Sequence, residues 1–153
     1  MNLEKCILEL TAKLQEGLKL SLKNFNQLEN TKSNGLYIVY RKNKVIYVGK
    51  TTRSGKIRLR EMASDYRSHT LNRKLLKDHL QRKLDIQIES LGNKSKTELI
   101  KNGKIKEIDF KKYQKEVNTT IKKNLRFRFI EETNNLTQLE HFAIAILNPQ
   151  YND

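Results

Sequence analysis

Two short runs rich in β-branched and aromatic residues flank the polar pair Lys42-Asn43, and they constrain the fold more than any other feature of the chain. The runs are Leu36–Arg41 and Lys44–Val48. Strand-forming runs joined by two residues that include Asn are typical of a tight β-hairpin. The sequence therefore predicts two antiparallel strands early in the chain.

The register of this hairpin decides whether Tyr37 and Tyr47 lie on the same face of the sheet. A strict two-residue loop pairs Tyr37 with Val48 and turns the two tyrosines to opposite faces. A three-residue loop, or a bulge at the turn, places both on one face. Gly35 and Gly49 at the strand ends permit a close approach of neighbouring groups or a positive φ. The residues alone leave both registers open.

A third strand and a following helix are predicted near the C-terminus. In Leu125–Ile130 the apolar residues alternate with two arginines, which is the pattern of a half-buried strand. Thr137 is then predicted to cap a helix that runs to Leu147 and is stopped before Pro149. Together with the hairpin, these segments indicate an α+β fold with a small three-stranded antiparallel sheet flanked by helices.

Two further segments are predicted as additions to this core within one domain, residues 1–153. Apolar residues recur at steps of three and four over residues 3–28, which predicts a single amphipathic N-terminal helix within residues 1–30. Residues 84–124 are predicted to be a basic, partly helical insertion that packs over the fold or lies along DNA. Stretch 92–124 holds ten lysines against four acidic residues. A short strand-like run is expected at residues 86–88.

The charge of the chain makes nucleic acid the first partner to consider. Thirty-one Lys and Arg residues face seventeen Asp and Glu residues, for a formal net charge of +14. Neutralising phosphates with such residues releases counterions and favours binding. An anionic membrane surface and a codon bias toward Lys, Asn and Ile are the alternative explanations.

Composition excludes several other classes of protein. Hydrophobic residues make up 37% of the chain, which suits a globular domain rather than a disordered segment. No apolar run is long enough to span a membrane, and the N-terminus lacks the pattern of a signal peptide. The single cysteine, Cys6, excludes an internal disulfide and a multi-cysteine zinc site. We therefore expect a cytoplasmic protein with no membrane partner.

Two groups of short motifs lie far apart in the sequence. They are Gly35-Leu36-Tyr37 with Tyr47-Val48-Gly49-Lys50-Thr51, then Arg58-Leu59-Arg60, and finally Leu139-Glu140 with Pro149-Gln150-Tyr151-Asn152. These motifs resemble the GIY-YIG nuclease superfamily, and the resemblance is strongest to the N-terminal nuclease domain of UvrC-type repair subunits and to stand-alone restriction-type enzymes. The matching segments, residues 35–70 and about 125–152, cover nearly half of the chain.

The alignment to the family pattern has two irregularities in its first half. Nine residues separate Tyr37 from Tyr47, which is about one fewer than is usual in the family. A one-residue insertion near 53–55 is needed to bring Arg58 onto the family arginine. Without that insertion, Arg60 takes the role, and the sequence leaves the choice open.

The resemblance implies a metal-dependent phosphodiesterase centre. Glu140 is expected to ligate one Mg²⁺ or Mn²⁺, which suits a lone carboxylate completed by water and substrate phosphate. Tyr37, or else Tyr47, is expected to act as general base or to orient the attacking water. Arg58 is expected to clamp the scissile phosphate through two hydrogen bonds. Lys50 is expected to stabilise tyrosinate or a phosphate oxygen.

Two further residues complete the predicted catalytic set. Asn152 is expected to hold the backbone of the site or the carboxylate in place. Met62 stands where many members of the family carry His or Tyr, so the usual helper is missing there. His69 or Tyr66 is considered in its place, and His69 is taken as the candidate.

The function implied by the resemblance is a metal-dependent endonuclease acting on DNA. No separate DNA-binding domain remains once the core is assigned, which favours a stand-alone enzyme of restriction, defence or mobile-element type. The alternatives are a non-catalytic nucleic-acid-binding module of the same fold, or a nuclease acting on RNA or single-stranded DNA. Duplex cutting by a single-site enzyme would favour a homodimer, with the N-terminal helix as the candidate interface.

Overall fold

A computed structural model describes residues 2–152, and within them the chain forms seven helices and three strands. None of these helices is both long and apolar enough to cross a membrane. The predicted α+β class, with a small antiparallel sheet flanked by helices, is confirmed. In chain order the elements are α1 (Leu3–Leu18), α2 (Phe25–Leu28), β1 (Gly35–Arg41), β2 (Lys44–Thr51), α3 (Gly55–Met62), α4 (Thr70–Leu84), α5 (Ser95–Lys101), α6 (Glu107–Asn124), β3 (Arg126–Glu131) and α7 (Leu136–Leu147).

The elements fall into two compact units. The first runs up to Leu59 and resumes at Leu125, so it holds the whole sheet with α1, α2 and α7. The second is Arg60–Asn124 and holds α4, α5 and α6. Compactness alone does not decide how many parts of a chain fold independently, so the single domain over residues 1–153 stays a prediction.

The sheet has the order β2-β1-β3, and both strand pairs are antiparallel. A two-residue turn joins β1 to β2, with φ values of 51° at Lys42 and 65° at Asn43. Positive φ at both turn residues matches the right-handed twist of the strands it connects, which is why such turns close two-residue hairpins. The predicted hairpin is present at the predicted residues.

A β-bulge shifts the register within this hairpin. Val39 lies opposite Tyr47, but the next pair is Tyr40 with Val45. Ile46 is therefore an extra residue on β2. Because side chains alternate between the faces of a sheet, one extra residue moves every later side chain of that strand to the other face.

The two faces of the sheet pack against different helices of the first unit. On one face, α1 and α7 cover a buried apolar cluster. On the other face, the Phe25 ring of α2 packs edge-on against Phe127, with centroids 6.2 Å apart. The buried cluster consists of Leu36, Ile38, Tyr40, Val48 and Ile130 from the sheet, with Leu14, Leu136, Leu139 and Ala143 from the helices.

The N-terminal segment is helical, but the prediction of one helix over residues 3–28 is wrong. Helix α1 ends at Leu18, and α2 begins again after Asn24, whose side chain forms a capping box. Between the two helices, the backbone of Lys23 exchanges hydrogen bonds of 2.9 and 2.8 Å with Phe127 on the outer edge of β3. Covering an exposed strand edge satisfies its backbone groups, and a continuous helix could not do so.

The start of α7 also differs from its prediction. The N-cap is Asn135, in a left-handed conformation with φ of 58°, and Thr137 lies inside the helix. The predicted capping role of Thr137 is therefore wrong. The helix ends at Leu147 as predicted, where Asn148 also takes a left-handed conformation before the buried Pro149.

The second unit is built on the packing of α4 with α6. The predicted partly helical character of residues 84–124 is confirmed, since α5 and the whole of α6, the unit's longest helix, lie there. The strand-like run at residues 86–88 is not a strand, although Ile88 is buried. Buried apolar residues of the two main helices are Leu71, Leu75, Leu76 and Leu80 from α4, with Phe110, Val117 and Ile121 from α6.

Candidate active site

Tyr37 and Tyr47 lie on the same face of the sheet and stack on each other. Their ring centroids are 6.2 Å apart, with 26° between the ring planes. Of the two registers that the sequence left open, the bulged one is therefore present. Tyr37 lies opposite Gly49, and a Cβ atom at Gly49 would overlap the Tyr37 ring and hydroxyl. Gly49 is required by this close approach, so the ring of Tyr37 crosses the edge strand there.

Arg58 brings a guanidinium group to the Tyr37 phenol. It lies in α3, whose first turn is held by two backbone hydrogen bonds to loop residues 31–33, of 2.9 and 3.0 Å. A side-chain hydrogen bond joins Arg58 to Tyr37 and lowers the pKa of the phenol. Arg60 is exposed and belongs to the second unit. Of the two arginines that the sequence left open, Arg58 is the one that reaches the tyrosine.

The Tyr37 phenol has a pKa well above its ordinary value. Burial is the largest cause, because removing the phenol from water disfavours the charged tyrosinate. Tyr47 raises the pKa further, Arg58 opposes it through its charge and its hydrogen bond, and the Glu140 carboxylate adds to the increase. Tyr37 is 1% exposed. The phenol is consequently protonated at neutral pH.

Glu140 approaches this group from the opposite side of the sheet. Its helix, α7, packs beneath the sheet through Leu139 and Ala143, on the face away from Tyr37. The residues of the candidate site are therefore carried by elements on both faces of the sheet. Because β2 is the edge strand and Gly49 has no side chain, the half-buried Glu140 carboxylate is still close enough for its charge to act on the Tyr37 phenol.

Lys50 does not share a face with Tyr37. It pairs with Leu36 and follows Gly49 in β2, so its side chain leaves on the α7 side. Its Nζ donates a 2.7 Å hydrogen bond to the Oγ1 of Thr137, which lies one helical turn before Glu140. This contact ties the edge strand to the helix that carries the carboxylate. This contact was not predictable from the sequence, where Thr137 was expected to cap the helix.

Asn152 is bound to the backbone of the edge strand. Its Oδ1 accepts a hydrogen bond from the Val48 N–H, and its Nδ2 donates to the Val48 carbonyl, each at 2.8 Å. The Tyr151 N–H also donates to the carbonyl of the bulged Ile46, at 2.8 Å. The chain after α7 therefore covers part of the outer edge of β2 through one backbone and two side-chain hydrogen bonds. Asn152 holds backbone next to Gly49, in agreement with the positioning role expected of it.

His69 lies in the second unit, where it caps a helix. Its ring is 2% exposed, and its Nδ1 accepts a 3.0 Å hydrogen bond from the Leu71 N–H at the start of α4. Side-chain acceptors at this position satisfy backbone donors that the helix leaves without a partner. Capping gives the histidine a structural reason to be buried. A catalytic role for His69 stays a prediction.

The candidate site has too few acidic side chains to bind a metal ion through protein ligands alone, so substrate and water would have to complete the coordination. Among residues 2–152, no group of three or more His, Cys, Asp and Glu side chains is arranged to hold a metal ion. Mg²⁺ binds readily through one or two carboxylates when waters and substrate phosphates supply the remaining ligands. Glu140, whose charge acts on the Tyr37 phenol, meets this minimal requirement. It could not form the closed site of a structural metal.

Comparisons of this chain with protein-family models, with curated proteins and with solved structures found no match.

Proposed function

We propose that this chain is a metal-dependent endonuclease of GIY-YIG type that hydrolyses phosphodiester bonds in DNA, acting alone in restriction, defence or a mobile element. The observation that carries the proposal is the environment of Tyr37. This phenol is stacked on Tyr47, hydrogen-bonded to Arg58 and within the electrostatic reach of Glu140. The four residue types come from a hairpin and from two helices far apart in sequence, and they are the types expected from the motif resemblance.

Arg58 has the chemistry to bind the scissile phosphate. A planar guanidinium presents several N–H donors in fixed geometry and matches two phosphate oxygens at once. Phosphodiester hydrolysis builds negative charge on those oxygens, so a cation aimed at them lowers the barrier. In the proposed mechanism, Arg58 keeps its contact with Tyr37 and directs its remaining donors to the phosphate.

Tyr37 acts first as a hydrogen-bond donor, because its raised pKa keeps it protonated. A protonated phenol can orient a water molecule toward the phosphorus atom. Arg58 stabilises the tyrosinate form of Tyr37, whereas the Glu140 carboxylate destabilises it. The charge near Glu140 therefore controls how readily Tyr37 acts as a general base. A divalent cation held at Glu140 would supply positive charge to the phosphate and cancel the effect by which that carboxylate raises the Tyr37 pKa.

In this mechanism, Lys50 and Asn152 hold other groups of the site in place. Asn152 fixes the backbone of β2 one residue before Gly49, and Lys50 links the same strand to α7. A catalytic carboxylate must be held within about 0.5 Å of its productive position. We assign both residues to holding the edge strand and Glu140 in register, and a direct catalytic role for Lys50 stays a prediction.

A plasmid-cleavage assay with Mg²⁺ or Mn²⁺ tests the proposal. We expect the wild-type protein to nick or linearise plasmid DNA, with activity lost in EDTA. Glu140→Gln and Tyr37→Phe should each lower the rate by at least 10²-fold, the order expected when a charge-stabilising or proton-transfer group is removed. Single-stranded DNA and RNA of matched sequence identify the preferred polymer.

The control for Glu140→Gln is Glu98→Gln, which makes the same charge change at an exposed position in the first turn of α5. It should cleave at the wild-type rate. Equal cleavage by wild type, Glu140→Gln and Tyr37→Phe would end the nuclease proposal. DNA binding without cleavage under every metal condition would favour the non-catalytic binding module instead.

We include homodimerisation through α1 in the proposal. Leu3 and Ile7 are 68% and 46% exposed, although they continue the apolar stripe that Leu14 buries against the sheet. Two chains joined there would supply the two centres that cutting both strands requires. Sedimentation equilibrium should report a dimer for the wild type and a monomer for Ile7→Glu. A monomer in both cases would remove this part of the proposal.

A further inference from the structure

The outward face of α6 in the second unit carries a row of exposed lysines. Phe110, Val117 and Ile121 are buried on the inner face of this helix. At 3.6 residues per turn, the lysines fall on the opposite side. The exposed lysines on that side include Lys111, Lys112, Lys115 and Lys122.

A polar network within the second unit fixes this orientation. Gln114 Nε2 donates to Asn72 Oδ1 at 2.9 Å and to Asn118 Oδ1 at 3.0 Å. Asn72 is fully buried and donates to the same Asn118 oxygen at 2.9 Å. Because buried amides are costly to leave without partners, α6 cannot rotate about its axis. The lysines are therefore held on the outside.

A surface groove runs along the lysine face. Along the helix, Lys111 and Lys122 are separated by about 16 Å, at 1.5 Å per residue. Two acids lie beside the row. Glu107 is 3.7 Å from Lys111, whereas Glu116 is 3.5 Å from the Nε2 of His79, whose pKa is lowered mainly by burial, so Glu116 keeps a negative charge that this contact does not neutralise. The groove is lined by Ile108, Lys111, Lys112, Lys115, Glu116 and Thr119.

We propose that this face of α6 binds the phosphate backbone of duplex DNA without reading its sequence. Lysine offers a point charge on a flexible stem, which suits phosphate contacts rather than base recognition. A membrane-binding helix would need an apolar face to insert, whereas the apolar face of α6 is buried inside the unit. The choice of DNA among anionic polymers rests on the proposed nuclease function.

The test measures duplex DNA binding against salt concentration in EDTA, in the Glu140→Gln background so that no cleavage occurs. The test variant replaces Lys112, Lys115 and Lys122 with Ala. Three lost phosphate contacts should reduce the slope of log K against log salt by about 2.7 and weaken binding on the order of 10²-fold near 0.1 M salt. The charge-matched control replaces the exposed Lys19, Lys23 and Lys32 with Ala and should change both quantities little.

Replacing the same three α6 lysines with Arg should restore the slope, which separates lost charge from a damaged fold. Equal weakening by the test and control triples would show that binding depends on net charge alone and would overturn the proposal. The proposal would also fall if the α6 triple kept full DNA affinity, or lost binding only to vesicles of anionic lipid. Plasmid cleavage is scored separately, so binding through α6 with no cleavage would refute the nuclease proposal alone.

Discussion

Tyr37 places an ionisable phenol where a negative charge is costly, and this has a consequence for stability at high pH. Burial raises its pKa in the folded protein above the value of about 10 found in an unfolded chain. The folded state therefore holds the proton more tightly than the unfolded state. Its contribution to stability is complete below about pH 10 and is lost as the pH rises through the higher folded pKa.

We expect Tyr37→Phe to flatten the decline of the unfolding free energy with pH between about pH 9.5 and 11. Tyr113→Phe leaves the buried phenol in place and should keep the wild-type slope. Urea unfolding at a series of pH values in EDTA measures this directly. Wild-type and Tyr37→Phe curves that stay parallel throughout this range would contradict the buried position of the phenol.

Gly49 gives a second prediction at the scale of one residue. A Cβ atom there would overlap the Tyr37 ring, so Gly49→Ala should destabilise the protein by about 1–3 kcal/mol, as overpacking does. Gly92→Ala is the matched control, because its Cβ would meet only Ser95 Oγ, at 3.9 Å. Thermal unfolding compares the two. Equal melting temperatures for both variants would show that Tyr37 does not cross the strand at Gly49.

At the scale of elements, the edge of β2 depends on the chain that follows α7. Asn152 makes two hydrogen bonds to Val48, and a net value of about 1 kcal/mol each predicts a loss near 2 kcal/mol for Asn152→Ala. Amide exchange should increase at Val48 in particular. Gln150→Ala is the control, since its side chain makes only an exposed 3.4 Å contact with Arg41. Unchanged protection of Val48 in the Asn152 variant would exclude this role for the tail.

Elements with strong local signals could be predicted from the sequence, and those set by distant partners could not. The hairpin has its signal in two strand-like runs around Lys42-Asn43. The bulge at Ile46 has none, because the Tyr151 N–H that binds its carbonyl lies over a hundred residues away. The break after Leu18 was missed for the same reason, since the apolar repeat continues through a segment whose backbone pairs with β3.

The candidate site divides in the same way, into residues that local motifs identify and arrangements that distant contacts determine. Tyr37, Arg58 and Glu140 could be named from motifs, but the meeting of Arg58 with Tyr37 depends on how α3 is anchored to the loop at residues 31–33. The approach of Glu140 from the far face was not predictable, because it requires Tyr37 to lie over a glycine in an edge strand. The side of the sheet on which Lys50 lies depends on the hairpin register, because a one-residue step along a strand reverses the face of a side chain.

For the molecule as a whole, positive charge is present in both units but is denser in the second. Arg60–Asn124 carries seventeen Lys and Arg residues against nine Asp and Glu residues, more than half of the net charge of +14. Like charges at this density repel one another and oppose the compact state. Salt screens such repulsion, with a Debye length of about 10 Å at 0.1 M.

The stability of the free protein should therefore rise with salt concentration. We expect the melting temperature to increase by about 2–4 °C between about 20 and 300 mM NaCl, corresponding to about 1 kcal/mol for a chain of this size.

Replacing Lys112, Lys115 and Lys122 with Ala lowers the formal charge from +14 to +11 and should weaken the dependence of the melting temperature on salt. The exposed pair Glu4→Gln and Glu98→Gln raises it to +16 and should strengthen the dependence. Sodium sulfate at matched ionic strength distinguishes charge screening from anion binding. Screening alone should raise the melting temperature by the same amount in sulfate as in chloride. A melting temperature that is unchanged by salt, or that falls in all three proteins, would mean that repulsion among these lysines does not limit the folded state.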